Sequence, residues 1–151
     1  MNGISVFAGV CLFFSATFVG LWIRKRYKGK ADFYEEYYRY LLYVSERISY
    51  EKMPIGEIIA TFPKGEKTDF YDFLTGKEVK PPISEGELTE IGKYLSEIGT
   101  TDADTQIASL NVKCAELKRY TEVQCVKYRK DGALYFKLSV LIGIVAFIII
   151  V

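Results

Sequence analysis

Few side chains here have chemistry to offer. They are Cys11, Cys114 and Cys125, the carboxylate pairs Glu35/Glu36 and Asp102/Asp104, and a cluster of tyrosines that begins near residue 34. There is no histidine, which removes His general bases, Ser-His-Asp and Cys-His arrangements, and histidine-containing metal sites. Cys114 and Cys125 stand eleven residues apart on a predicted helix; they share a face but cannot bridge within that helix. No C-x-x-C pair occurs, so zinc or redox chemistry lacks its usual spacing, and the cysteines read as reduced, small hydrophobes. Close carboxylate pairs are common at solvated helix starts, and acid–base work would need perturbed surroundings. No phosphate-cradling, dinucleotide, zincin or nucleophile-elbow motif is present. The expectation is a non-enzyme without metal, cofactor or small-molecule substrate.

The elements that hold these residues are set by an uneven distribution of apolar character. Ile4 to Ile23 is twenty residues without a charge, and at ~1.5 Å per residue it spans ~30 Å, the thickness of a bilayer core. Positive charge follows this run, in "RKRYKGK", rather than preceding it, and no A-x-A-like site is visible. The run therefore reads as a retained helix and not as a signal peptide. Trp22 and Tyr27 suit the membrane interface, with Arg24, Lys25 and Arg26 just beyond it. The second run, Leu138 to Val151, would rise only ~21 Å, so it needs Ala133 to Phe136 and must include Lys137. That lysine marks the wet end, its stem along the helix and its ammonium among headgroups, while Val151 emerges on the far side. Both basic clusters face the middle segment. The positive-inside rule then makes the middle cytoplasmic and puts both termini outside the cell membrane.

The middle reads as helical. Phe33, Tyr37, Leu41, Val44 and Ile48 recur at helical spacing within "DFYEEYYRYLLYVSERISY", with further tyrosines broadening the face. Pro54 ends that helix and starts "PIGEIIATF" in its first turn, Pro63 breaks it, and "KTDFYDFLTG" is a short helix stopped by Gly76. Ser84 with Glu87 fits a capping box and Gly99 a C-terminal cap, with Leu88, Ile91, Leu95 and Ile98 as the buried stripe. Thr101 is the expected N-cap of the next helix. Its seam is Ala103, Ile107, Leu110, Cys114 and Leu117, diluted by Thr121 and Gln124. Gly132 either bends the final helix or leaves it continuous. From Phe33 to Val126 there are 11 Lys/Arg against 17 Asp/Glu, a balance that speaks against nucleic-acid binding. The fold class is all-α: two transmembrane helices (1–23 and 133–151) flanking a small cytoplasmic helical bundle (24–132).

Four stretches resemble one family: "GLWIRKRYKGK", "YLLYVSERISYEKMPIGEIIATF", "YLSEIGTTDADTQIASL" and "KYRKDGALYFKLSVLIGIVAFIIIV". In order and type they are similar to the stage III sporulation protein AB family of endospore-forming bacteria. Ile98 stands where leucine is usual, and Leu138-Ser139 replaces a usual Leu-Gly. The resemblance implies a subunit of the channel-like assembly between mother cell and forespore, in the mother-cell membrane around the forespore. It also implies a domain similar to the F-type platform of type II secretion. The implied partners are membrane lipid, the motor ATPase stage III sporulation protein AA and other stage III complex subunits. Gly99, Asp102 and Gln106 match a family pattern and become candidate contact residues, together with the tyrosine-rich helix; the plain alternative for that turn is helix capping. Two other classes remain. An anchored enzyme would need a concave polar cleft. A pore-former would have only Ser5, Ser15, Thr17 and Ser139 to line a water path.

Overall fold

The computed structural model describes residues 3–65 and 69–150, and among these it is all-α. The helices are α1 (Gly3–Glu51), α2 (Ile55–Thr61), α3 (Asp69–Leu74), α4 (Glu85–Glu97), α5 (Ala103–Tyr120) and α6 (Val126–Ile150), with a π-helical turn at Thr121–Cys125 between the last two. The chain divides into two compact units, one of residues 1–29 with 126–151 and one of residues 30–125. Lys67 and Thr68, the expected start of the third helix, and the terminal Val151 lie outside the described residues.

In the first unit, the apolar parts of α1 and α6 pack antiparallel. Gly20 meets Ser139, Gly143 meets Ala16 and Phe13, and Gly132 meets Tyr27 and the backbone of Arg24. As the number falls on α1 from 27 to 20 to 16, it rises on α6 from 132 to 139 to 143, step for step. Tyr27 also stands against Tyr135, ring centroids 5.6 Å apart. Small residues at each crossing let the backbones approach, the usual device of helix pairs that lack a hydrophobic driving force between them. A Cβ added at Gly20 would lie 2.7 Å from Ser139 Cβ, closer than side chains tolerate. The outer faces are apolar and bare: Phe7 is 71% exposed, Phe18 72%, Ile142 65% and Ile149 78%. Both helices are long and apolar enough to cross a membrane. Only 11% of the most apolar stretch of α1, and 6% of that ending in α6, is buried. A core helix of a water-soluble protein would be buried on most sides.

The second unit is organised around aromatic rings. Phe33, Tyr37 and Tyr40 of α1 are buried together with Leu41 and Val44; Tyr40 joins four of the expected positions, while the fifth, Ile48, is only half-buried. Phe70 of α3 sits among the first three, with ring centroids 5.4, 5.6 and 5.7 Å from Phe33, Tyr37 and Tyr40. Phe62 adds an edge contact to Tyr40 at 5.2 Å. Each such pair contributes about 0.5–1.5 kcal/mol beyond area burial, so the breadth of the tyrosine face is used for packing.

Several local expectations change. The first helix does not stop near the membrane. It runs unbroken through "RKRYKGK" to Glu51, because Arg and Lys are good helix formers and one glycine costs only ~1 kcal/mol. Pro54 is the N-cap of α2, in extended backbone, rather than a first-turn residue. Asp102, not Thr101, caps α5, its side chain accepting from the Thr105 N–H. On α5 Ala103 is exposed and Gln106 is buried in its place. The dilution after Leu117 is a change of helix type: the π turn inserts extra length and turns Cys125 inward, where its thiol donates to the Ala31 carbonyl at 3.6 Å. Gly132 leaves α6 continuous.

The register of the apolar pair gives the first prediction. In a Cys11→Ser background, Ala16→Cys with Gly143→Cys should form a disulfide on mild oxidation, because the Cβ positions lie 3.2 Å apart. Gly20→Val should weaken the paired state by about 1–3 kcal/mol through overpacking. Absence of the 16–143 cross-link under conditions that link Ala16→Cys to Phe136→Cys would show a different register.

Candidate functional site

The turn between α4 and α5 brings together the three residues singled out from sequence. Gly99 has φ +92°, in the left-handed region, and a Cβ there would strike Ile55 Cδ1 at 2.8 Å. Its N–H donates to Gln106 Oε1 at 2.7 Å, and the Thr101 hydroxyl donates to the same oxygen at 3.2 Å. Gln106 is therefore buried and spends its carbonyl on closing the turn. Asp102 is exposed, and the Thr105 N–H it accepts from holds its pKa below the ordinary value. The group is one structural unit, of which Asp102 is the member open to a partner.

The expected membrane-interface residues also fall together. The antiparallel register puts Trp22 level with Lys137. Trp22, Arg24, Lys25, Arg26 and Lys137 are all exposed. The Arg24 guanidinium lies 5.6 Å from the Phe136 ring centroid, and that of Arg26 lies 5.6 Å from Trp22. Such cation–aromatic pairs suit the boundary between hydrocarbon and headgroups.

Sequence reasoning missed a solvent-open cavity of about 400 Å³ between α1, α4 and α5. Ile91 and Leu117 give it an apolar surface, and Tyr34, Tyr37, Tyr94 and Tyr120 supply aromatic ones. Its rim carries Glu87, Glu90, Glu97 and Glu116 against Lys93 and Lys113. Tyr34 and Tyr120 stack with centroids 4.6 Å apart. Lys113 reaches across α5 to Glu116 at 2.9 Å and lies 5.8 Å from the Tyr94 ring centroid. The only sequence signal was the excess of tyrosine on α1. Which of those rings would line a cavity depends on α4 and α5, which lie far along the chain.

Glu87 fixes one wall. It completes the expected capping box with Ser84. Its carboxylate accepts from the Ser84 N–H at 3.0 Å, the Ser84 hydroxyl at 2.8 Å, the Tyr34 hydroxyl at 2.9 Å and Lys30 at 3.2 Å. Desolvation alone would raise its pKa, but the donations from Ser84, Lys30 and Tyr34 together outweigh it and hold the group at about 2. Tyr37 behaves in the opposite way. Burial, then the nearby Tyr94 and Glu116, push its phenol far above the ordinary range. Its hydroxyl makes no hydrogen bond among the described residues. Burial also raises the Tyr94 phenol, whose hydroxyl likewise makes no hydrogen bond among the described residues, and raises the Cys114 thiol. Each of these shifts locks its group in the form it already has at neutral pH. A general acid or base needs a pKa moved toward the working pH.

Comparison of the chain with protein-family models, with curated proteins and with solved structures returns no match.

Two predictions follow from these geometries. The Glu87 charge stabilises the fold fully above its ordinary pKa of 4.5, and that contribution is lost as pH falls toward about 2. Glu87→Gln should flatten the dependence of the denaturation midpoint on pH across this window, and should cost about 1–2 kcal/mol at neutral pH. An unchanged pH slope would mean the carboxylate is not held as described. Tyr37→Phe should raise the unfolding free energy in detergent by about 1 kcal/mol, since it removes an unpaired buried hydroxyl and keeps the ring. A loss of stability would show that the hydroxyl has a partner within the fold.

Proposed function

We propose that the chain is a non-enzymatic membrane platform subunit. In this reading residues 24–132 face the cytoplasm, both ends lie across the membrane, and the helical unit couples a cytoplasmic ATPase to membrane components of a sporulation channel-type complex. The antiparallel register of the apolar helices carries the membrane part of the reading. It sets Trp22 and Lys137 at one level, and both basic clusters, Arg24–Lys28 and Lys127–Lys130, on the same side of it. Two anchors with matched positive flanks favour one orientation by the positive-inside rule. The pKa pattern in the cavity favours binding over acid–base chemistry, although the cavity is the concave polar feature an anchored enzyme would need. The sporulation role and the ATPase, stage III sporulation protein AA, come from the resemblance of the four quoted stretches. The turn of Gly99, Asp102 and Gln106 is the proposed contact, with Asp102 presenting charge.

Full-length chain in detergent and the purified ATPase should co-elute in size-exclusion chromatography. Asp102→Asn preserves the helix cap and removes the charge, while Gln106→Ala opens the turn. Each should weaken the complex about tenfold or more, equivalent to at least ~1.4 kcal/mol. Unaltered binding of both variants would remove the turn as the contact. Failure of the unmodified chain to bind would remove the ATPase as the partner.

A further inference from the structure

We propose that the outer face of α6 is a binding row for an anionic phospholipid, with Lys130 and Lys137 holding its phosphate. The inference rests on the membrane reading above and is independent of any protein partner. Its first support is spacing. Lys130, Leu134, Lys137, Leu141, Ile144 and Ile148 follow one another at intervals of four, three, four, three and four along the continuous α6, so they stand in one line on the helix. The line is on the side away from Gly132, Ser139 and Gly143, which meet α1. Both lysines are exposed, and the apolar members run from 41% exposed at Ile144 to 69% at Ile148. A charged pair therefore continues without a break into bare apolar surface. A phospholipid has the same order, a headgroup and then acyl chains.

The second support is charge. Asp131 is the only acidic side chain of this unit. At 3.6 residues per turn it points roughly a third of a turn away from both Lys130 and Lys137. Neighbouring cations are already engaged, Arg24 over Phe136 and Arg26 over Trp22. The ammonium groups of Lys130 and Lys137 make no ion pair, hydrogen bond or ring contact among the described residues. The two backbone levels differ by ~10 Å. Helical side chains lean toward the N-terminus, here the basic end of α6, so the stem of Lys137 takes up much of that difference.

These features select an anionic lipid over other acidic ligands. A free phosphate would leave the apolar half of the line unused. A water-borne acidic protein or nucleic acid could not follow the line past Lys137 into hydrocarbon. A zwitterionic headgroup brings its own cation against the lysines. An anionic phospholipid matches both halves, and each lysine near such a surface adds to the attraction.

The test uses full-length chain carrying Trp22→Phe and Leu141→Trp, so that the introduced indole reports on the line. It is held in nanodiscs of mixed phosphatidylcholine and phosphatidylglycerol, with bromine on the chains of one lipid or the other. Quenching should show phosphatidylglycerol favoured about fivefold or more over phosphatidylcholine. Adding Lys130→Gln/Lys137→Gln should bring the two lipids within about twofold, while Lys130→Arg/Lys137→Arg should keep the preference. Quenching by brominated phosphatidylcholine in every variant shows that the helix is still embedded. Equal association of the two lipids with the lysine-bearing chain, or an unchanged preference in the glutamine variant, overturns the proposal. So does loss of the preference on adding glycerol phosphate at ionic strength matched with chloride, which would assign the lysines to a free phosphate. Absence of quenching by either lipid overturns the membrane reading, and the proposal with it.

Discussion

The bare outer faces of the paired apolar helices are the constraint on which the rest of the molecule depends. Phe7, Phe18, Ile142 and Ile149 project away from the α1–α6 seam and find no protein to cover them. Contiguous apolar surface on this scale is not stable in water. The inner faces solve a different problem. Between two helices in hydrocarbon, association comes from close packing, and Gly20, Gly132 and Gly143 allow the backbones to approach. The glycines therefore choose the register, and the register sets the levels of Trp22, Lys137 and the basic clusters.

In the second unit aromatic packing replaces glycine packing. A ring at Phe33, Tyr37 or Tyr40 buries a large area and can meet another ring edge-on, and Phe70 receives all three. Rings alone do not orient α4 against α1. That is done by Glu87, which joins the cap of its own helix to Lys30 and Tyr34 on α1. A single carboxylate with four donors is costly to bury and strongly directional once satisfied, so it specifies a geometry that apolar contacts leave loose.

Local chemistry was readable from the sequence; features made by distant segments were not. The capping box at Ser84 and Glu87, the stops at Pro54 and Gly76 and most of the buried stripe of α1 depend on residues within one or two turns of each other. The C-cap of α4, by contrast, is Ile98, and Gly99 one residue beyond donates to Gln106 instead of to the helix. The continuous α1 was missed because a run of charges was read as a boundary, although Arg and Lys are well suited to helix interiors. The π turn at Thr121–Cys125 was visible only as a fading seam, since an extra residue in a helix disturbs apolar spacing without leaving a motif. At the turn of Gly99, Asp102 and Gln106, the spacing was seen but the burial of Gln106 was not. The side chain enters the interior because its amide oxygen satisfies Gly99, a partner that exists only once the turn has formed. The cavity was further out of reach, because Tyr34 and Tyr37 of α1 meet walls from α4 and α5 that begin only at Glu87.

Tyr37 is where the packing of the second unit leaves a hydrogen bond unmade. Phenylalanine would fill the same space against Phe70 without leaving a polar atom stranded, so packing gives no reason for the hydroxyl. Neighbouring tyrosines show what a retained hydroxyl does when the fold uses it: that of Tyr34 binds Glu87, and that of Tyr43 reaches Thr61. The hydroxyl of Tyr37 has no such bond among the described residues and is closed off from solvent near Tyr94 and Glu116, so it lowers the stability of the fold by the cost of an unmade hydrogen bond.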